Sequence, residues 1–208
     1  LSYDVETTSP EPATCRVVQV AAILFEPETE KGYEHLTRLT SIMNEIVDPG
    51  MASSDGATAI HGIGPEQWAG KRPDSEAMVE LHNYIQENYQ SDGQPQFIVA
   101  GHNVNWFDLP ILWRLSERPP IFGLPGFGTM LCAQRVYPLA PSHRLTTNAA
   151  EPDKIGLTEW LGLPLGKAHD AAGDAVMVHA LFNHFCKGLN KTPMELAVWC
   201  AEPRLLKF

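Results

Sequence analysis

Apolar residues gather in stretches of strand length over the first fifty positions and then change to helical spacing. Val17 to Phe25 (VVQVAAILF) is an apolar run of strand length, and His35 to Val47 reads as further extended structure. With Leu1 to Val5 they predict early strands, antiparallel neighbours joined by short turns. After Pro73 the period changes: Met78, Leu81, Ile85 and Tyr89 recur at intervals of three and four, and Asp74 is placed to cap the helix. Phe97-Ile98-Val99-Ala100 predicts a buried strand, followed by a helical stretch near Leu109 to Leu115. Pro119 to Gly128 is a Pro/Gly-rich loop, Pro138 to Lys154 is irregular, and a short helix is expected around Leu157 to Leu161. The last strong helix runs from about Asp170 to Phe185, with Val176, Ala180, Leu181 and Phe185 on one stripe. Early strands followed by alternating helices and strands imply an α/β three-layer domain around a mixed sheet flanked by helices.

The composition narrows this picture. With 208 residues, 44% of them hydrophobic, the chain can build one ordinary domain with a sizeable core. No apolar run reaches the ~18 residues a membrane span needs, and the start carries no signal-peptide pattern. Leu1-Ser2-Tyr3-Asp4 looks like the end of a strand whose beginning is missing. Cys15, Cys132, Cys186 and Cys200 are widely spaced without a Cys-x-x-Cys pair, so they are expected to be reduced thiols of a cytoplasmic protein, not a disulfide framework or a zinc site.

Four acids and a histidine stand out by context. Asp4 and Glu6 lie two apart on a predicted strand, where alternate residues project to the same face, so both carboxylates can meet one cation. Asp108 sits in Gly-His-Asn-Val-Asn-Trp-Phe-Asp-Leu-Pro, between a buried strand and a helix. Asp174 lies near the start of the last long helix, five residues after His169. Taken singly each has an ordinary alternative: a solvated turn, a carboxylate facing a helix dipole, a surface histidine, or, for Asp170, an N-cap. Together they form a hard-oxygen set suited to magnesium or manganese. Two such ions ~3.5–4 Å apart can clamp the attacking and leaving oxygens of a phosphodiester, and a histidine beside them can accept a proton from water.

The three motifs resemble those of the DnaQ-like (DEDDh) exonuclease family. Asp-x-Glu matches Asp4 and Glu6, Phe-Asp preceded by His-Asn matches His102-Asn103 with Phe107-Asp108, and His with Asp five later matches His169 and Asp174. The resemblance covers about residues 1 to 187 and implies a ribonuclease H-like fold. It implies 3′→5′ hydrolysis of single-stranded DNA or 3′ overhangs, with release of nucleoside 5′-monophosphates. By the same resemblance Asp4, Glu6 and Asp174 would hold one of two Mg2+ or Mn2+ ions, Asp4 would bridge to the second, Asp108 would bind partly through water, and His169 would be the general base. Ile60 and His61, in Ile60-His61-Gly62-Ile63, match the segment that packs on the terminal nucleotide; residue by residue they otherwise read as a loop leading into a helix at Pro65. Thr7 matches the residue that meets the 3′-hydroxyl, and Asn103 would reach the sugar-phosphate or fix its own loop.

The departures point within the family. Three residues separate Asn103 from Phe107, as in exonuclease I and the animal repair exonucleases, where proofreading subunits have two. Gly128 precedes Thr129 where many relatives have an Asp, which should affect support of the site more than metal binding. Thr192 to Phe208 resembles the stretch after the catalytic domain of exonuclease X-like proteins, so 188–208 is expected to be a helical extension, the start of a small module that the chain lacks. The formal charge of -10 argues against a long nucleic-acid footprint, but a site holding a few nucleotides can be acidic because its metal ions supply local positive charge. A strand-binding face from Arg114, Arg118, Arg135, Arg144 and Lys167 competes with a plain solvated surface. An exoribonuclease, a polymerase proofreading partner and a nuclease-dead nucleic-acid-binding adaptor remain alternatives; DNA is favoured over RNA as the strand bound.

Overall fold

A computed structural model of the chain describes residues 1–27, 36–91, 94–95, 98–121, 124, 126–147 and 151–201, with the backbone alone for 26–27, 36–39, 89–91, 94–95 and 201. His35, Phe97, the side chain of Tyr89 and the end of the chain from 202 to 208 lie outside this description.

Strands β1 (Ser2–Thr7), β2 (Val17–Pro27) and β3 (Leu36–Ile46) form an antiparallel meander, in which Asp4 pairs with Ala21 and Glu6 with Gln19. Helices α1 (Asp55–His61), α2 (Pro65–Trp68) and α3 (Asp74–Tyr89) follow, then a small hairpin of β4 (Gln90–Ser91) and β5 (Gln94–Pro95). Strand β6 (Val99–Gly101) adds parallel to β1, and after α4 (Asp108–Ser116) strand β7 (Gly126–Gly128) adds parallel to β6. The chain then forms α5 (Thr129–Val136), α6 (Leu157–Trp160), α7 (Ala171–Leu189) and α8 (Pro193–Ala201). The five-stranded sheet is mixed, in the order β3-β2-β1-β6-β7, and helices flank it as expected.

The largely apolar run of β2, interrupted by Gln19, follows from burial on both faces. Val20 and Ala22 join Tyr3, Val5, Met78, Leu81, Ile111 and Leu112 under α3 and α4. The alternate residues Ala21 and Ile23 pack on Ala171 and Ala175 of α7. Farther along, Ala100 and Phe127 meet Met177, Val178, Leu181 and Phe185, and α8 seals that side with Leu196, Ala197 and Cys200.

Four expectations need correction. Gly126–Gly128 is a parallel strand continuing directly into α5, because Phe127 is fully buried in the second core while its glycine neighbours masked that in the sequence. Ile60 and His61 lie in the last turn of α1, capped by Ser54, whose hydroxyl accepts the Ala57 amide, and closed by left-handed Gly62; only the single turn of α2 starts at Pro65. Asp74 is the first residue of α3 and not its cap: its carboxylate accepts from Arg16 and the Val17 amide, tying α3 to the sheet, while the Glu76 and Ala77 amides go to the Pro73 carbonyl. On α7 the deeply buried positions are Ala171, Ala175, Met177, Val178, Leu181, Phe182, Phe185 and Cys186, while Val176 and Ala180 are half-buried; a helix covered by both sheet and neighbouring helices has a wider apolar face than one stripe.

Candidate active site

The site forms where three elements end beside β1. Strand β1 pairs with β6 at Ser2 and Ala100, and the Ala100 amide donates to the Leu1 carbonyl at 2.7 Å. The chain then leaves the sheet after Gly101, and its return as α4 sets Asp108, 3% exposed, against the β1 backbone. The Val5 amide and Asp108's own amide both point to that carboxylate. On the other side, Gln19 of β2 accepts the Ala171 amide at 3.2 Å, which pins the start of α7 to the strand partner of Glu6. Asp170 is the N-cap, accepting the Gly173 amide at 3.3 Å, so Asp174 falls in the first turn. A Cβ on Gly173 would lie 2.2 Å from the Lys167 carbonyl oxygen, and one on Gly166 2.4 Å from the Gly173 oxygen. Both positions therefore require glycine, and the loop pressed on α7 holds His169 at φ 58°, a left-handed conformation that costs a non-glycine residue. As a result ligand atoms of Glu6, His169 and Asp174 lie within 4.8 Å of one another.

Asp4 and Asp108 complete the group electrostatically. Loss of solvent raises the Asp4 pKa well above the carboxylate range, and Asp108, Asp174, Glu6 and Asp170 push it further. Glu6 is pushed up to about 8, first by burial and then by Asp174, Asp170 and Asp108. Burial raises Asp108 to about 7 against the pull of the two amides, and raises Asp174 to about 7 against the His169 amide, with Asp170 adding repulsion. No cation contributes to any of these shifts. Asp174 Oδ1 is buried without a hydrogen-bond partner. Like charges gathered without a counter-ion, plus an orphaned carboxylate oxygen, fit a divalent cation held by oxygen ligands.

The other residues singled out from the sequence surround this cluster. Thr7 is buried at the β1 bulge, its hydroxyl donating to the Ser9 carbonyl at 2.8 Å. Ile60 is 58% exposed, whereas His61 is buried. His61 Nδ1 accepts the Ile63 amide at 3.0 Å, which leaves Nε2–H for Thr7's carbonyl and Ser53 Oγ. Burial lowers the His61 pKa, and His169 lowers it further, which places the two imidazoles near each other. Asn103 is half-buried, and its carbonyl accepts the Trp106 and Phe107 amides, both at 3.0 Å. Thr129 is fully buried and donates to His102 Nδ1 at 3.0 Å, while His102 Nε2–H donates to the His143 carbonyl at 2.8 Å. That chain ties α5 and the 143 loop to the turn preceding Asp108. Of the five cations considered as a strand-binding face, Arg114 holds the Pro12 and Cys15 carbonyls, Arg135 the Trp199 carbonyl, Arg144 pairs with Glu151 and Lys167 with Asp170. Gln19 and the Gly166–Gly173 contact were not anticipated; nothing in the local pattern marks a strand glutamine as the anchor of a helix 152 positions later.

A mixed sheet carrying an acidic cluster at its middle strand is an arrangement that suits a nuclease holding divalent cations. Residues 1–182 match the RNase_T family, described as Exonuclease, and the chain belongs to that family of divalent-metal-dependent nucleases. The chain is 26% identical over 205 residues to the DNA polymerase III PolC-type of Streptococcus suis (strain 98HAH33), covering 93% of this chain but 12% of that much longer protein. Exonuclease X in complex with 5′ overhanging duplex DNA is similar with a TM-score of 0.61 and 19% identity, covering 96% of this chain and 98% of that one. E. coli exonuclease I in complex with a dT13 oligonucleotide gives 0.63 and 20%, covering 89% and 40%. The nuclease domain of 3'hExo, a DEDDh family member bound to rAMP, gives 0.64 and 14%, covering 90% of each chain. Among the described residues no helix is long and apolar enough to cross a membrane.

Proposed function

We propose that this exonuclease removes nucleotides one at a time from the 3′ end of single-stranded DNA or a 3′ overhang and releases 5′-monophosphates. The observation that carries the reading is the convergence of Glu6, His169 and Asp174, with Asp4 and Asp108 repelling the same centre. Asp4, Glu6, Asp108 and Asp174 are the residues that would hold two Mg2+ or Mn2+ ions. Bound there, the ions would polarise the phosphoryl group and balance the charge that builds on it.

The chain's own residues do the rest. His169, aimed by its strained backbone, takes the proton from the attacking water. The Gly166–Gly173 contact and the Gln19 anchor fix that imidazole against Asp174. Thr7 and the exposed Ile60 receive the terminal nucleotide, His61 supports Thr7 from behind, and Asn103 shapes the turn that delivers Asp108. Residues 1–187 carry this activity and 188–208 are an extension, whose helix α8 is docked on the second core. The four buried free thiols support a cytoplasmic setting.

The test is digestion of matched single- and double-stranded DNA and RNA in Mg2+. The reading expects fast loss of a 3′ label as mononucleotide from single-stranded DNA and strong slowing by a 3′-phosphate. Preference for RNA would move the assignment to an exoribonuclease, cleavage of closed circular strands would contradict it, and silence on all substrates would leave a binding adaptor.

A further inference from the structure

Trp106 and Phe107 are adjacent aromatics with opposite fates. Phe107 packs against the core under α4, while Trp106 is 77% exposed, far more than Trp68, which is 7% exposed. A single exposed apolar side chain needs no special account. This one differs in where it stands and in how firmly its backbone is held. Two residues of chain span at most roughly 7 Å, so the Trp106 backbone lies within that distance of Asp108. The turn beneath it is pinned by the Trp106 and Phe107 amides to the Asn103 carbonyl at 3.0 Å, by Leu109 N–H to the Val104 carbonyl at 2.9 Å, and by Asn105 Nδ2 to the Gly126 carbonyl at 3.2 Å. Val104 is fully buried and anchors this turn in the core. A large π-face is thus presented to solvent on a rigid turn at the rim of an acidic site, where no cation serves the four acids and a nucleobase can be held by stacking without charge.

We propose that Trp106 is a base-stacking subsite: its indole carries a nucleobase of the substrate strand one or two nucleotides upstream of the terminal residue. The subsite rests on the exonuclease reading above and adds the way a strongly acidic protein holds its strand. It predicts that substrates with an upstream base are favoured over those with none.

The experiment compares oligo(dT) with the p-nitrophenyl ester of thymidine 5′-monophosphate, which has no upstream base, for wild type, Trp106→Ala and Trp106→Phe. In Trp106→Ala the ratio of kcat/KM on oligo(dT) to that on the ester should fall about 10-fold, mainly through KM, as expected for losing one base–aromatic stack. Trp106→Phe should recover most of that ratio. An abasic residue at the stacked position should weaken wild type and leave Trp106→Ala no weaker than on intact oligo(dT). An unchanged ratio, a loss confined to kcat, or equal sensitivity of both proteins to the abasic residue would overturn the subsite while leaving the exonuclease reading standing. Wild type inert on both substrates would instead bring down that reading and the subsite with it.

Discussion

Two groups of buried and half-buried carboxylates lie within the same domain and have opposite surroundings. Asp74, fully buried, receives Arg16 Nε at 2.8 Å, a second guanidinium nitrogen and the Val17 amide at 3.0 Å. Asp4, Glu6, Asp108 and Asp174 face one another, with backbone amides near two of them and no cation. The first arrangement is complete in the chain alone and serves the fold, joining the start of β2 to α3. The second has no cation among the causes acting on it, so its acids are held above their ordinary pKa values and take up protons where no cation is bound. Removing charge should therefore have opposite effects at the two places.

The largest contrast is expected from Asp4→Asn. Hydrolysis in Mg2+ should fall below detection while the metal-free protein keeps or raises its Tm, because folding no longer has to bury or protonate that carboxylate; scanning calorimetry beside a 3′-label assay checks both. A mutant that melts early would mean that Asp4 serves the fold as Asp74 does. His169→Ala should slow single-turnover hydrolysis by roughly 10²–10⁴ with the melting curve little changed. Near-wild-type turnover by His169→Asn would reduce the histidine to a loop-shaping role.

Arg16→Ala attacks the other carboxylate, stranding Asp74 without its partner. A loss of about 3 kcal/mol is expected, lowering Tm by roughly 6–12 °C, with hydrolysis retained at temperatures where the mutant is folded. A similar size of effect attends His102, buried, neutral and held near pKa 4 by loss of solvent. Below the unfolded value of ~6.5 the unfolded chain takes a proton that the folded chain refuses, so stability falls as pH drops from there towards 4. Denaturant titrations should show an acid-side slope shallower by up to one proton in His102→Gln than in wild type. The smallest effect concerns proton traffic at the acidic cluster. With Glu6 near 8 and Asp108 and Asp174 near 7, the metal-free site holds protons at pH 6 that a divalent cation must expel. Calorimetric Mg2+ titrations in buffers of different ionisation enthalpy should show proton release, and affinity should rise with pH between about 5 and 8.

Much of this was legible in the chain because the chemistry-bearing residues sit in short local motifs. Asp4 and Glu6 share a strand face by period, and Asp170 with Asp174 follows from helix-start rules. The β2 run announced a strand, and its lack of alternation is now explained by burial on both faces. What was not legible depends on pairs far apart in sequence. Gln19 at the start of α7, Arg16 on Asp74 and Lys167 against Gly173 leave no periodic trace. The α1 turn bearing Ile60 and His61 was hidden by Ser54-Asp55-Gly56, a turn-like triplet that the Ser54 cap converts to a helix start. Strand β7 was hidden in the same way by its two glycines.

If the cluster around Asp4 directs hydrolysis from the 3′ end, a time course on 5′-labelled single-stranded DNA must show it. In Mg2+ the labelled strand should shorten one nucleotide at a time into a descending ladder, and with chelator, or in Asp4→Asn, it should stay at full length. Immediate release of labelled mononucleotide, or an undiminished ladder in chelator, would contradict the account.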